Sequence, residues 1–113
     1  HGVACAALLP QVVKANLEIA KGTPEERRLR HRFVLVSEAM LDQRFASADE
    51  ATVRGLEFLE SLQRDLAIPK LGDLGLLPEQ LDEIVSKSRG SSMRYNPVDL
   101  TDEQLQAIIH SAM

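Results

Sequence analysis

The chain has one cysteine, Cys5, so an internal disulfide is excluded and a reducing compartment, the cytoplasm, is the expected location. Positive charge is also scarce. Thirteen Lys and Arg stand against seventeen Asp and Glu, a formal net charge of −4. Nucleic-acid binding needs an excess of cations to displace counterions, so no nucleic-acid partner is expected. No uninterrupted apolar run approaches the roughly 20 residues of a membrane span, and no membrane partner is expected either. Residues 3–9 are apolar, but they lack the basic lead and the cleavage site of a secretion signal. Period-two alternation is never sustained, which argues against a sheet. There is no internal repeat, glycine-rich phosphate loop, dinucleotide fingerprint or Ser-His-Asp arrangement.

What is present is helical periodicity. The 113 residues suit one helical domain with a modest core, 44% hydrophobic and 27% charged. The first helix is expected from about Val3 to Lys21. Its first half is apolar on every side, which predicts the most buried element of the fold. Cys5, in that stretch, reads as a buried structural thiol. Pro10 lies in the helix interior and predicts a kink, and Gly22 supplies the stop.

Thr23-Pro24-Glu25-Glu26 predicts a capping box and a second helix that fades between Leu41 and Arg44. Ser47-Ala48-Asp49-Glu50 does the same for a third, ended by Pro69. Gly55 inside it costs about 1 kcal/mol relative to Ala, which a closely packed neighbour would offset. A short fourth helix opens at Pro78-Glu79-Gln80. The polar stretch Ser88 to Asn96 reads as a loop, and Thr101-Asp102-Glu103-Gln104 caps the last helix. The expected fold is therefore all-α, with about five principal helices.

Three histidines are candidates for chemistry. His31 lies within Arg27-Arg28-Leu29-Arg30-His31-Arg32, but consecutive helical residues point in different directions, so these cations read as a solvated face. His110 is near a helix C-terminus, where a cation is favoured. His1 precedes the close-packed first helix. No two histidines share an i, i+4 spacing, and one His cannot hold a catalytic metal, which takes about three protein ligands.

The opening reads His1-Gly2, small apolar residues, Leu8-Leu9-Pro10, then Asn16. Further on come Leu66-Ala67-Ile68-Pro69-Lys70-Leu71, then Gly75 with Glu79 and Leu81, and finally Asn96-Pro97 before Leu100-Thr101-Asp102-Glu103. In order and spacing this resembles the C-terminal helical part of iron-containing, metal-dependent alcohol dehydrogenases, a dehydroquinate synthase-like fold. The resemblance covers nearly the whole chain through motifs that are individually short. It implies that His1 is the last protein ligand to a catalytic metal, with an Asp and two more histidines upstream. Imidazole leaves Fe(II) and Zn(II) open.

The resemblance also implies a longer, homo-oligomeric enzyme with an upstream nucleotide-binding domain. Such an enzyme uses NAD(H) or NADP(H) on alcohols, aldehydes or ketones. The chain opens directly on a helix without Met, and it is expected to be a piece of that enzyme, inactive alone and prone to associate through its first helix. Tyr95, where the family often has a small residue, is expected to alter a loop near the substrate. The alternative is an autonomous helical interaction module without catalysis, whose apolar first helix docks on a partner.

Overall fold

The computed structural model describes residues 1–113, and every regular element in it is helical. The α-helices are α1 (Gly2–Ala20), α2 (Glu26–Leu41), α3 (Ala48–Asp65), α4 (Leu81–Lys87) and α5 (Asp102–Ser111). Short 3₁₀ turns at Pro78–Gln80 and Ser91–Tyr95 precede α4 and the final helix. An α2–α3 hairpin packs on one side of α1, and α5, itself packed on α4, lies on another.

Local signals place most helix ends. The Ser47 side chain accepts from the Glu50 N–H at 3.1 Å. Thr101 and Gln104 form a reciprocal capping box, with bonds of 3.1 and 2.9 Å. Gly22, at φ +77°, takes the left-handed position of the turn that closes with Thr23 N–H donating to the Ala20 carbonyl. At the start of α2 the expected box is displaced. Thr23 Oγ donates to the Ala20 carbonyl at 2.6 Å, which closes α1, and Glu26 accepts from the Gly22 N–H at 2.9 Å. The same hydroxyl accepts from the Glu25 N–H at 3.3 Å, so it bridges the end of α1 and the N-cap of α2, which starts at Glu26.

α3 ends in a Schellman motif. The Ile68 N–H donates to the Gln63 carbonyl and the Ala67 N–H to the Arg64 carbonyl. Ala67 occupies the left-handed position at φ +51°, where a Cβ costs roughly 1–2 kcal/mol. Glycine removes that cost and loses part of the gain to chain entropy. Ala67→Gly is expected to stabilise the chain by about 0.5–1 kcal/mol, read as a higher urea midpoint. A lower midpoint would mean the alanine methyl makes packing contacts worth more than the strain.

α1 carries Pro10 without a break. Proline has no N–H for the carbonyl four residues earlier, here that of Ala6. Gln63 on α3 supplies the missing donor: its Nε2 donates to the Ala6 carbonyl at 2.8 Å and to the Ala7 carbonyl at 3.0 Å. Pro10 itself is buried.

Two expectations about α1 are corrected. It is not the most buried element, for Val3 and Leu9 remain 46% and 50% exposed. That rank belongs to α5, where Leu105, Ile108 and Ile109 join Val85, Val98, Leu100 and Leu71 in the main core. α3 and α5 cover only parts of α1, and an apolar helix is buried only where another element meets it. Cys5, expected inside, is exposed. By length and mean hydropathy α1 is apolar enough to cross a membrane. In the fold it instead packs between α3 and α5, with Asn16 buried and hydrogen-bonded.

The hairpin has its own small contact. Phe33, Ser37, Ala51 and Gly55 are buried where α2 crosses α3. A Cβ on Gly55 would lie 2.0 Å from Ser37 Oγ and 3.0 Å from a Phe33 ring carbon, so the helices approach as closely as glycine allows. This is the close neighbour that the sequence required of Gly55. The Ser37 hydroxyl has no partner.

Candidate functional site

His1 is the N-cap residue of α1, and its side chain makes no capping bond. Its carbonyl accepts from the Cys5 N–H at 3.1 Å, the first hydrogen bond of the helix. That bond sets the residues one turn apart on one face, and Cys5 Sγ lies 3.8 Å from His1 Nε2. Both side chains are open to solvent. The imidazole and thiol thus lie side by side on the first turn of the helix. No group of three or more His, Cys, Asp or Glu side chains converges to hold a metal. His1 can supply part of a ligand set, but the set is not complete within these residues.

Below His1 on the same helix face, Ala4, Leu8 and Val12 form one wall of an apolar cleft of about 580 Å³. Leu71, Leu76, Ile84, Met93 and Ile108 complete it. Its few polar side chains are already engaged. Asn96 Nδ2 donates to Asn16 Oδ1 and to the Val98 carbonyl, Ser88 Oγ donates to the Val85 carbonyl, and Gln80 Oε1 accepts from the Leu77 N–H. The cleft therefore presents hydrocarbon and no free charge.

The other candidates lie elsewhere. His31 and His110 are both exposed, on α2 and α5. The cations around His31 are partly paired, Arg28 with Glu25 and Arg30 with Asp49, as suits a solvated face. Arg89, in the polar loop, is held by the Leu100 carbonyl at 2.7 Å and by the Asp102 carboxylate.

The two asparagines that sequence inspection singled out at opposite ends of the chain meet each other. Asn16 Nδ2 donates to Asn96 Oδ1 at 3.0 Å, and Asn96 Nδ2 returns the bond at 2.9 Å. This pair, Asn16 buried and Asn96 half-buried, ties the Asn96-Pro97 loop to α1. At a rise of about 1.5 Å per residue, Asn16 is about 22 Å along the helix from His1. Tyr95, beside Asn96, is 86% exposed.

Sequence reasoning missed Gln63 and the exposure of Cys5. Pro10 was the available sign of the first, since a proline inside a helix announces a carbonyl in need of a donor. The second had no local sign.

Comparison with known proteins fits this arrangement. Residues 1–113 match the family described as the Fe-containing alcohol dehydrogenase family, C-terminal. The chain is similar to Alcohol dehydrogenase 4 from two strains of Saccharomyces cerevisiae, 32% identical over 114 residues in each. The aligned region covers 99% of this chain but 27% of those relatives' length. No solved structure matches. A helical chain matched from its first residue to its last, with the His-Gly opening at the head of α1, belongs to the iron-containing alcohol dehydrogenase family as its C-terminal part.

Proposed function

We propose that this chain is the part of a metal-activated, NAD(P)-dependent oxidoreductase that contributes one metal ligand and a wall of the substrate site. The enzyme would interconvert alcohols with aldehydes or ketones. The observation that carries this reading is His1, exposed at the head of α1, in a chain of this family. Its imidazole would hold Fe(II) or Zn(II) together with ligands from upstream, an Asp and two histidines. When bound, the metal supplies Lewis-acid polarisation of the substrate oxygen during hydride transfer.

We assign cofactor binding to an upstream nucleotide-binding domain of the same enzyme, as membership of this family implies. Val3 and Leu9, half exposed near His1, are the face we assign to that neighbour. The helical part contributes position. Gln63 and the Asn16–Asn96 pair hold α1 against α3 and the late loop, which fixes the direction in which the helix presents His1. We place the enzyme in the cytoplasm as a homo-oligomer.

The test uses the longer enzyme. His1→Ala is expected to lower metal affinity by roughly 100-fold, and turnover with it, since loss of outer-shell partners alone costs 10–100-fold. Metal analysis and nicotinamide absorbance read the two effects. Normal metal content and normal rate would remove His1 from the site. The 113-residue chain alone is expected to reduce no aldehyde with either nicotinamide, and metal-dependent turnover by it would refute the assignment of the cofactor to another domain.

A further inference from the structure

We propose that the apolar cleft below His1 takes the hydrocarbon chain of the substrate, so that the enzyme prefers straight-chain primary alcohols and aldehydes of about six to ten carbons over short polyols. The inference rests on the proposed function and names the substrate class of that same site.

Placement is the first support. Ala4, Leu8 and Val12 follow one another at four-residue steps on α1, in a row that begins one turn from His1. Helical side chains tilt toward the N-terminus, so the row leans toward His1. From Ala4 to Val12 the helix rises about 12 Å. An extended chain advances about 1.2 Å per bond, so the row matches about ten bonds of an alkyl chain.

Shape is the second support. The cleft lies within this chain, between α1, Ile84 of α4 and Ile108 of α5. Leu71 and Ile108 are buried, whereas the three α1 residues, Ile84 and Met93 are half-buried and still present surface. A concave space of this kind admits a narrow chain more readily than the face of a neighbouring domain. Its volume of about 580 Å³ is roughly four times that of a cavity of about 150 Å³ that holds benzene.

Chemistry sets the preference. Asn96 and Ser88 spend their hydrogens on carbonyl oxygens of the fold, and no charged side chain lines the cleft. A hydroxyl carried into it loses water and gains little in return, whereas each methylene gains by leaving water. Alcohols with a hydroxyl at one end and hydrocarbon beyond it suit both His1 and the cleft.

The test uses the longer enzyme with straight-chain primary alcohols from ethanol to dodecanol, and glycerol as the polyol. Because full burial of one methylene is worth about fourfold, kcat/KM is expected to rise roughly two- to fourfold per added carbon. The rise should level off near about ten carbons. Val12→Phe fills the far end of the row and should bring the plateau forward to about six carbons, the reach from Ala4 to Leu8. Val12→Ala should carry the plateau further. Calorimetry of octanol with the metal-free enzyme gives a readout independent of turnover. One site per chain is expected, weakened on the order of tenfold in Val12→Phe. A flat profile from ethanol to decanol, in an enzyme that oxidises them all, would overturn the cleft assignment and leave the proposed function standing. Octanol binding that responds to Val12→Phe, without oxidation of any alcohol, would support the cleft and overturn the proposed function. Absence of octanol binding, with glycerol the best substrate, would show the cleft closed in the longer enzyme and overturn the inference.

Discussion

Gly55→Val is expected to destabilise the chain by roughly 3 kcal/mol or more, the upper range for overpacking a close contact. The reason lies across the hairpin. A Cβ at this position already falls 2.0 Å from Ser37 Oγ, 2.9 Å from Ser37 Cβ and 3.0 Å from a Phe33 ring carbon. Valine adds two further carbons and gains less helix propensity than alanine would. Relief requires α2 and α3 to separate, which exposes Phe33 and Ala51.

Alanine gives a graded version of the same result. Its better propensity, worth about 1 kcal/mol, offsets part of the clash. In Gly55→Ala combined with Ser37→Ala, the closest contact disappears along with a buried hydroxyl that has no partner. The double variant is therefore expected to be more stable than Gly55→Ala alone, a coupling that a double-mutant cycle in urea measures. Additive effects, or a Gly55→Val chain as stable as the original, would show that the hairpin adjusts without cost.

Ala7→Asp is the second substitution of large effect, with an expected loss of about 3–5 kcal/mol, the range for an uncompensated buried charge. Ala7 is 5% exposed and belongs to the main core with Ile108 and Ala112. It also borders a polar cleft that contains Arg64 and Lys70. Comparison with Ala7→Asn therefore separates charge from volume, for asparagine has nearly the same shape and no charge. Asp should be the worse of the two by at least about 1 kcal/mol. Equal melting temperatures for Asp and the original chain would mean that the carboxylate escapes into the cleft beside those cations.

Most of the helical layout was legible along the chain because its causes are local. Ser47 and Thr101 cap N–H groups three residues ahead, Gly22 takes a backbone angle that side chains resist, and apolar spacing marks each helix. The exception at Thr23 shows the limit of local reading. One hydroxyl stood within reach of two helix ends, and it serves both, donating to the Ala20 carbonyl and accepting from the Glu25 N–H, where the box pattern had implied only the second helix. The short family motifs were legible for the same reason, since each is a run of neighbours.

Burial was decided by tertiary structure. The sequence determined that residues 3–9 are apolar on all sides, but which of them is covered depends on where α3 and α5 pass. Ala7 and Pro10 are covered, while Val3, Cys5 and Leu9 are not. Likewise Pro10 by itself determined that the Ala6 carbonyl would lack its helical donor, and only the packing of α3 supplied Gln63. Asn16 and Asn96 were each visible as motif residues, yet their mutual pairing spans 80 positions. Hydrogen bonds within a turn are set by residues a few places apart. Contacts between helices depend on crossing positions that emerge only when all the apolar faces are buried together.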